Sequence, residues 1–393
     1  MARILLGWEL GANRGHIVRL LTLADALADQ GHEVALALQD LSLMPRACFG
    51  SFTLYQAPLW PRLLASTARS YPREAQTMGD ILYRLGLDDP LALAGLVAGW
   101  HTLFAAFRPQ LVIGDFAPAL GVAARGRMPV IQLGTGFTVP PSDMDHFPAL
   151  SANEAVHDEA EALSRSNDGL KAIGEPALKA LPAIFAADKQ MPGEFARLDP
   201  YGAFRTGPLN PPSVAHPVPQ PHDDGPGDEI FVYGFERAMT ATSLWDGLQR
   251  SGLPVRVHIP RLSPAMARAL TDRGFAYEPE PLPFADIARR SRIVLSHGGH
   301  GFTCSAMLAG LPQIVTYYDL EKRLTGERIA AMGTGGYVSL SALNAEALGQ
   351  GVRQLYEAEA PQQKAREMAE SFAVEMGKNP LAAIVGAAEQ MLD

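Results

Sequence analysis

The chain has 393 residues, of which 47% are hydrophobic and 19% are charged, and its formal net charge is -9. This length predicts two domains with separate cores, and the composition excludes a disordered or fibrous protein. The negative charge gives no overall electrostatic reason to bind nucleic acid or an anionic membrane, which favours small-molecule chemistry.

Other sequence features bear on where the protein works. Cys48 and Cys304 are too few for a disulfide framework or a cysteine-based metal site, and this favours a reducing cytoplasm. The N-terminus shows no secretion signal. The most apolar stretch, Leu91 to Phe107, is interrupted by two glycines and a histidine, so we interpret it as a buried helix and predict no membrane span.

The N-terminal segment has the pattern strand, loop, helix, strand. Apolar runs at Arg3 to Trp8 and Glu33 to Leu38 predict two strands, and apolar residues at helical spacing from Ile17 to Ala28 predict a helix between them. This unit predicts a parallel strand pair joined by a helical crossover. The opposite face of the helix is expected to carry Arg19, Thr22, Asp25 and Asp29.

The same alternation recurs in two blocks that a proline-rich segment separates. Strand patterns follow at Leu111 to Asp115 and Val130 to Gly134, and seven of the 21 residues from Gly207 to Gly227 are proline. The sequence GTGGY after Met332 is interpreted as a turn. We predict an N-terminal Rossmann-like domain over residues 1–207, a linker over 208–227, a second Rossmann-like domain over 228–376 and a C-terminal helix over 377–393.

A glycine-rich loop between a predicted strand and a predicted helix is the clearest candidate binding site. The strand is RIVLS, the loop is HGGHGFT at His297 to Thr303, and the helix continues with CSAMLAG. Free amides in the first helical turn, together with the helix dipole, favour a bound phosphate. The spacing matches neither a P-loop nor a dinucleotide fingerprint, and a tight turn without a ligand stays an alternative.

Two long segments resemble one known family. His297 to Gly335 resembles the donor-binding signature of nucleotide-sugar glycosyltransferases of the UDP-glucuronosyltransferase and macrolide glycosyltransferase kind, and Gly11 to Leu38 resembles the opening strand, loop and helix of the same family. The resemblance implies the α/β fold called GT-B: two Rossmann-like, doubly wound parallel-sheet domains facing a central cleft. It also implies that the N-terminal domain binds the acceptor and that the C-terminal helix crosses back to this domain.

The resemblance implies a donor site in the C-terminal domain, and three of its positions depart from the family. Ser305 stands where a glutamate commonly binds the ribose, so it would make one hydrogen bond instead of two. Glu321 and Lys322 replace an Asp-Gln pair at the donor sugar, where Lys322 would either favour a charged sugar or pair with Glu321. Tyr233 replaces a small hydroxyl residue. The implied donor-binding residues are His297, Gly299, Gly301, Phe302, Thr303, Ser305, Glu321, Lys322, Tyr233, Gly234 and Leu282.

The resemblance implies that His16 is the general base and that Asp115 orients it. Both follow predicted strands, which puts them at the carboxyl edge of a parallel sheet. A carboxylate on one imidazole nitrogen holds the tautomer that accepts a hydroxyl proton on the other. The alternatives are a capping or cleft-lining role for His16 and a helix N-cap role for Asp115.

The acceptor site and the metal requirement have weaker signals. Acceptor contacts are expected at Trp8, Glu9, Phe137 and Asp143, although an aromatic residue beside glycines is more often packing. The segment DMDH at Asp143 to His146 is the nearest approach to a metal cluster, and we interpret it as a solvated loop or an acceptor contact. No metal site is predicted, because amides and a helix dipole would stabilise the leaving diphosphate.

The sequence thus predicts an inverting, metal-independent glycosyltransferase. It would move a sugar from a UDP- or dTDP-linked donor to a hydroxyl or other nucleophile of a small-molecule or lipid-like acceptor, with no cofactor. We expect the protein to be cytoplasmic and able to form a homodimer. We expect neither a nucleic-acid partner nor a membrane span. The alternatives are a sugar-nucleotide epimerase or hydrolase on the same fold, and a catalytically silent nucleotide-binding partner protein.

Overall fold

The computed structural model describes residues 1–11, 15–63, 69–221, 227–377 and 379–393. The chain divides into two compact units: unit 1 comprises residues 1–211 with 378–393, and unit 2 comprises residues 212–377. Part of the first predicted loop, residues 12–14, and part of the predicted linker, residues 222–226, lie outside the described residues.

Strands and helices alternate through both units. The strands are β1 Arg3–Trp8, β2 Glu33–Leu38, β3 Thr53–Gln56, β4 Leu111–Asp115, β5 Val130–Gly134, β6 Lys189–Pro192, β7 Glu229–Tyr233, β8 Val255–His258, β9 Ala276–Glu278, β10 Ser291–Ser296, β11 Gln313–Tyr317 and β12 Gly335–Ser339. The helices are α1 Gly15–Asp29, α2 Met78–Leu82, α3 Pro90–Phe107, α4 Pro118–Ala124, α5 Glu159–Ala172, α6 Thr242–Ser251, α7 Pro264–Thr271, α8 Phe284–Arg290, α9 His300–Leu308, α10 Leu320–Ala331, α11 Ala345–Glu357, α12 Glu359–Glu375 and α13 Pro380–Leu392.

Each unit contains one parallel sheet of six strands. The strand order is β3-β2-β1-β4-β5-β6 in unit 1 and β12-β11-β10-β7-β8-β9 in unit 2, and every strand pair is parallel. Counted from the first strand of each unit, both orders are 3-2-1-4-5-6, the doubly wound order of dinucleotide-binding domains. The predicted α/β fold class is therefore confirmed.

The central strands are apolar along their whole length because helices cover both faces of the sheets. In unit 1, β4 is buried at every position, and Ile4 and Ile113 belong to a core that α1 completes. The C-terminal helix α13 adds Ala387 and Ala388 to this same core, so it folds with unit 1. The end of the chain thus returns to the unit in which the chain began.

Helix α3 is the apolar stretch that the sequence predicted to be buried. Among the described residues, it is one helix that is long and apolar enough to cross a membrane by length and composition alone. It packs against α4 and α5, and its residues Leu93, Val97 and Trp100 are fully buried. These contacts are those of a core helix of unit 1.

One predicted turn is a strand. The GTGGY sequence was expected to form a turn, yet Gly335 to Ser339 form β12 at the edge of the second sheet. The turn interpretation was wrong because the strand is short and only half-buried, and Gly335 and Gly336 dilute its apolar pattern. A Cβ on Gly335 would overlap the Gln313 backbone of β11, which is why a glycine begins this strand.

We expect Gly169→Ala to destabilise unit 1, because the added Cβ would overlap the Pro90 carbonyl oxygen where α5 crosses the start of α3. Overpacking of this kind costs about 1–3 kcal/mol. The control is Gly95→Ala, on the exposed side of α3, where an added Cβ meets nothing within 4 Å and should stabilise the helix by about 0.5–1 kcal/mol. Thermal unfolding of both variants checks this, and equal midpoints would contradict the close packing of α3 and α5.

Candidate functional site

The predicted site residues collect at the carboxyl edges of the two sheets. In unit 1 His16 follows β1 and Asp115 ends β4, and these two strands are neighbours. In unit 2 Tyr233 ends β7 and the glycine loop follows its neighbour β10, while Leu282 follows β9 and Glu321 and Lys322 follow β11. The strand order reverses between these neighbours, so their following loops diverge and leave a crevice at the strand ends. Each unit therefore holds its candidate residues where doubly wound sheets bind ligands.

His16 and Asp115 are in contact in unit 1. His16 Nδ1 lies 3.1 Å from Asp115 Oδ1, the carboxylate is fully buried, and the imidazole is 15% exposed. The Trp8 ring stacks on the imidazole, with centroids 5.2 Å apart and planes inclined by 14°. The Trp8 indole in turn donates to the Leu10 carbonyl at 2.6 Å. The strand end and the stacked indole thus fix the imidazole plane.

Arg19 is a third member of this cluster, and the sequence analysis did not find it. It was expected on the face of α1 opposite the core, but its Nη1 lies 2.9 Å from Asp115 Oδ1 and 2.8 Å from Oδ2. The signal was present in the spacing, because residues three apart on a helix share a face, so His16 and Arg19 are neighbours on α1. The opposite-face prediction was wrong for Arg19 because α1 follows the apolar sheet closely here and the Asp115 charge attracts the guanidinium.

The Asp115 carboxyl is ionised in spite of its burial. Burial raises its pKa, but the charges and hydrogen bonds of Arg19 and His16 outweigh burial and hold the pKa below its ordinary value. Two hydrogen bonds from Arg19 and one from His16 leave the carboxylate little freedom to turn. The carboxylate therefore offers a fixed negative charge to the imidazole.

Gly11 leaves the second imidazole nitrogen uncovered. Its φ is +88°, and a Cβ at this position would lie 2.5 Å from His16 Nε2. Both the backbone conformation and the close approach therefore require glycine. Nδ1 faces Asp115, and Nε2 is the nitrogen available to a substrate.

Glu9 differs from the expectation of an acceptor contact. Its carboxylate is buried and accepts hydrogen bonds from the indoles of Trp60 and Trp100, at 2.9 and 2.8 Å, and from the amides of Ala119 and Leu120, at 3.1 and 2.6 Å. Burial raises its pKa to about 7, which these four donors only partly offset. Glu9 joins β1 to the start of α4 instead of facing an acceptor, because all its acceptor directions point into the fold.

The other expected acceptor residues differ in how far they are exposed to solvent. Trp8 is fully buried behind His16, and Phe137 is buried in the loop after β5. Asp143, Asp145 and His146 are all exposed. The structure therefore agrees with a solvated loop for the DMDH segment, and it brings only Trp8 into contact with the base.

In unit 2 the glycine loop connects β10 to α9. Gly298 has a φ of +79°, and a Cβ on Gly298 would lie 2.8 Å from Val315. Gly299 is the N-cap, and a Cβ there would lie 2.9 Å from His297 Nε2. The two glycines thus let the chain turn tightly around the His297 ring into the helix.

The amides open to an anion differ in one position from the expected set. Thr303 was expected to offer its amide, but this amide donates to the Gly299 carbonyl at 2.9 Å, as the first bond of α9. In the first turn, Gly301 and Phe302 precede the first internal hydrogen bond of the helix. Thr303 therefore leaves the expected set, because the helix begins at His300, within the segment that the sequence analysis assigned to the loop.

His297 is a neutral imidazole in a largely aromatic environment. Tyr233, Phe235 and Tyr318 lie around it with ring centroids 5.8, 5.3 and 6.3 Å away. Burial and then the charge of Lys322 lower its pKa to about 4, against smaller opposing effects of Glu321 and the Tyr233 backbone. At neutral pH His297 therefore carries no charge, and its one N–H is hydrogen-bonded to the Tyr233 backbone.

An aromatic cluster lies beside the glycine loop. Tyr233 stacks on Phe302 with centroids 4.9 Å apart, and Phe284 meets Phe302 edge to face at 5.4 Å. Leu282 packs against the same apolar cluster. Gly234, which ends the first strand, leaves room for Ile259, because a Cβ there would lie 2.9 Å from it. Tyr233 thus has a packing partner where the family has a small hydroxyl residue.

Ser305 makes internal hydrogen bonds. Its hydroxyl donates to the Gly301 carbonyl at 2.8 Å and accepts from the Ala215 amide at 3.1 Å, and the side chain is buried. The single hydroxyl proton is thereby used within the helix. Ser305 thus fastens the chain entering unit 2 to α9, and its ribose contact stays a prediction.

A charge cluster around the buried Lys322 begins α10. Lys322 Nζ lies 2.6 Å from Glu321 Oε2, and Asp319 caps the helix by accepting from the Lys322 amide at 2.9 Å. Burial lowers the pKa of Lys322, but Glu321 and Asp319 outweigh it and raise the pKa above its ordinary value. Lys322 thus pairs with Glu321, the second of the two expected alternatives, and Asp319 is a member that the sequence analysis missed.

Comparison with known proteins agrees with this arrangement. Residues 279–387 match the family model described as "Erythromycin biosynthesis protein CIII-like, C-terminal domain". A PGL/p-HBAD biosynthesis glycosyltransferase of Mycobacterium tuberculosis (strain ATCC 25177 / H37Ra) is 32% identical over 97 residues, which are 25% of this chain and 23% of the relative. The match thus spans about a quarter of the relative's length.

Two solved structures share the fold over the whole chain. The calicheamicin glycosyltransferase CalG4 has a TM-score of 0.68 at 18% identity and covers 100% of this chain and 98% of its own. The spinosyn rhamnosyltransferase SpnG, complexed with spinosyn aglycone, has a TM-score of 0.67 at 15% identity and covers 99% of this chain and 100% of its own. SpnG has also been solved with thymidine diphosphate. The resemblance to nucleotide-sugar glycosyltransferases and the GT-B fold are confirmed.

We expect unit 2 to lose stability as the pH falls from 6.5 towards 4. The folded-state pKa of His297 is lowered to about 4 from an ordinary 6.5, so in this window the unfolded chain binds the additional proton. The loss should be about 2 kcal/mol between pH 6.5 and pH 5. Urea unfolding at both pH values would show a smaller difference for His297→Asn than for the wild type. The exposed His146→Asn is the control, and an undiminished pH difference in His297→Asn would contradict the assignment.

Proposed function

We propose that this protein is an inverting glycosyltransferase. It transfers a sugar from a nucleotide diphosphate sugar to a hydroxyl of a small-molecule or lipid-like acceptor. The observation that carries the proposal is the His16–Asp115 contact at 3.1 Å, at the carboxyl edge of one doubly wound sheet, in a chain with a glycine loop at the same edge of the other sheet. The confirmed resemblance to glycosyltransferases supports the reaction class.

His16 acts as the general base in this proposal. Asp115 accepts a hydrogen bond from the N–H of Nδ1, which leaves the lone pair of Nε2 for the acceptor hydroxyl. As the oxygen bonds to the anomeric carbon, its proton passes to Nε2. The bond from that carbon to the diphosphate oxygen breaks, and the diphosphate takes the electron pair. Attack opposite the leaving group inverts the anomeric configuration, while Asp115 stabilises the imidazolium that forms.

The leaving diphosphate is stabilised by the start of α9. The amides of Gly301 and Phe302 lie in the first turn of the helix, and the helix dipole favours negative charge at this end. These donors are preorganised and supply the stabilisation that a divalent cation provides in other transferases, so the proposal requires no metal.

The substrates follow from the related proteins. SpnG has been solved with thymidine diphosphate and with an aglycone, and this supports a dTDP-linked donor and a natural-product acceptor. A UDP-linked donor is the second choice. A cytoplasmic location and a homodimer stay predictions.

We expect His16→Ala to lower the rate of sugar transfer by about 10²–10⁴-fold, the usual contribution of a general base. The variant should bind the donor as the wild type does, because His16 belongs to unit 1 and the proposed donor residues belong to unit 2. The assay combines dTDP- and UDP-sugars with a panel of hydroxyl acceptors in excess EDTA, with products detected by mass spectrometry and the anomeric configuration by NMR. The exposed His146→Ala is the control.

The outcomes of this assay separate the candidate functions. Transfer by the wild type in EDTA, lost in His16→Ala, supports the proposal. An unchanged rate in His16→Ala would exclude the base assignment. Donor consumed or epimerised without any acceptor would favour the epimerase or hydrolase, and no shift of the thermal midpoint with any nucleotide would favour the silent partner protein.

Gly11→Ala should also lower kcat/KM, by about tenfold or more, because its methyl group would cover His16 Nε2. The matched control is Gly31→Ala. Gly31 has a nearly equal φ of +85°, so the backbone strain is similar, but an added Cβ there meets nothing within 4 Å. Steady-state kinetics of the two variants separate strain from obstruction. Equal losses in both would mean that strain alone explains the effect of Gly11→Ala.

A further inference from the structure

We propose that Arg19 is a positioning residue for the His16–Asp115 pair, holding the buried carboxylate ionised and aimed at His16 Nδ1. The inference rests on the proposed function in one respect, that His16 is the base. It concerns a residue that touches neither the reacting atoms nor the imidazole, and that acts through Asp115.

The contacts fix the carboxylate from two sides. Arg19 Nη1 lies 2.9 Å from Oδ1 and 2.8 Å from Oδ2, so one nitrogen spans both oxygens, and His16 Nδ1 shares Oδ1 at 3.1 Å. Charge-assisted bonds of this length are the stronger kind in proteins. The carboxylate plane can therefore not rotate without breaking a bond to Arg19.

Arg19 is needed because His16 is charged for only part of the catalytic cycle. A base must be neutral before it accepts a proton, and at that moment the imidazole contributes no positive charge to Asp115. Asp115 is fully buried, and an unpaired carboxylate in such a place takes up a proton. A guanidinium keeps its charge at every working pH, so Arg19 supplies the permanent counter-charge.

Loss of that counter-charge would reverse the tautomer of the base. An ionised Asp115 accepts a hydrogen bond from the N–H of Nδ1 and leaves the lone pair of Nε2 free to accept a proton. A protonated Asp115 would instead donate to Nδ1, and the imidazole proton would then occupy Nε2. His16 would be held in place but could not act as a base, so the charge on Arg19 decides which nitrogen is reactive.

The other charged groups around Asp115 are engaged elsewhere. Glu9 follows Trp8, the last residue of the adjoining strand β1, and its carboxylate accepts four hydrogen bonds from N–H groups of other residues. Glu389 on α13, which also packs near β4, binds His32 at 2.7 Å. The neighbouring β5 residue, Leu133, is apolar. Among the described residues, Arg19 and His16 are the charged or titratable groups that act on the Asp115 carboxyl.

The test measures the ionisation of Asp115 directly. The full-length protein is labelled with 13C at the aspartate side-chain carboxyls, and the Asp115 signal is assigned by its absence in Asp115→Asn. Its titration is compared in the wild type, in the neutral variants Arg19→Met and Arg19→Gln, and in Arg19→Lys. The control, Arg127→Met, removes a guanidinium from Glu175 elsewhere in unit 1, where the two are bonded at 2.6 and 3.1 Å.

We expect the Asp115 titration to move up by about 1–3 pH units in both neutral variants, the usual effect of an adjacent opposite charge. The acid limb of kcat/KM should move in the same direction, while KM for the donor stays unchanged. Arg19→Lys should restore most of the wild-type profile, because it keeps a cation although not the planar fork. Arg127→Met should leave both profiles as they are.

Two results would overturn the inference. One is an Asp115 titration that is the same in the wild type and in whichever neutral variant folds. The other is a lower rate in the neutral variants with no displacement of the acid limb and no rescue by Arg19→Lys, which would indicate a structural role. If the wild type transfers no sugar, the proposed function fails, while the carboxyl titration still decides whether Arg19 controls the charge of Asp115.

Discussion

Parallel strands can be joined only by a crossover that carries the chain back along the sheet, and this constraint governs both units. Every strand then ends at the same edge, and a helix follows it. Where the strand order reverses, between β1 and β4 and between β7 and β10, the two following loops leave in opposite directions. His16 and Asp115 in unit 1, and Tyr233 and the glycine loop in unit 2, lie at this reversal.

Both units also bury charged groups at that edge, and each does so with matched partners. In unit 1 the Asp115 carboxylate has a guanidinium and an imidazole, and the Glu9 carboxylate has four N–H donors. In unit 2 the Lys322 ammonium has two neighbouring carboxylates, and His297 stays neutral. Burial increases the free-energy cost of losing any one of these hydrogen-bond or charge partners, and the clusters are therefore rigid. Rigid groups are what the proposed proton transfer and diphosphate binding require.

The departures from the family pattern have a common explanation in unit 2. Ser305, Lys322 and Tyr233 each make a contact within the unit, with Ala215, Glu321 and Phe302 respectively. They are thus parts of the scaffold around the glycine loop, and the proposed donor site relies on the backbone amides at the start of α9. Backbone amides bind a phosphate whatever side chain they carry, which is why such changes are compatible with the proposed donor site.

The sequence by itself determined the two α/β blocks, the positions of their central strands along the chain and the positions of His16, Asp115 and the glycine loop. These depend on local signals, namely apolar runs, helical spacing and glycines at the turn between a strand and a helix. It missed β12 at a sheet edge, where a strand is half-buried and its apolar pattern is weak. Only the tertiary structure decided that Arg19 turns to Asp115, that Glu9 faces inward and that Ser305 holds Ala215. The partner of a polar side chain lies on another element, at a distance that spacing along the chain does not encode. Burial then selects the conformation that satisfies each charge and hydrogen bond.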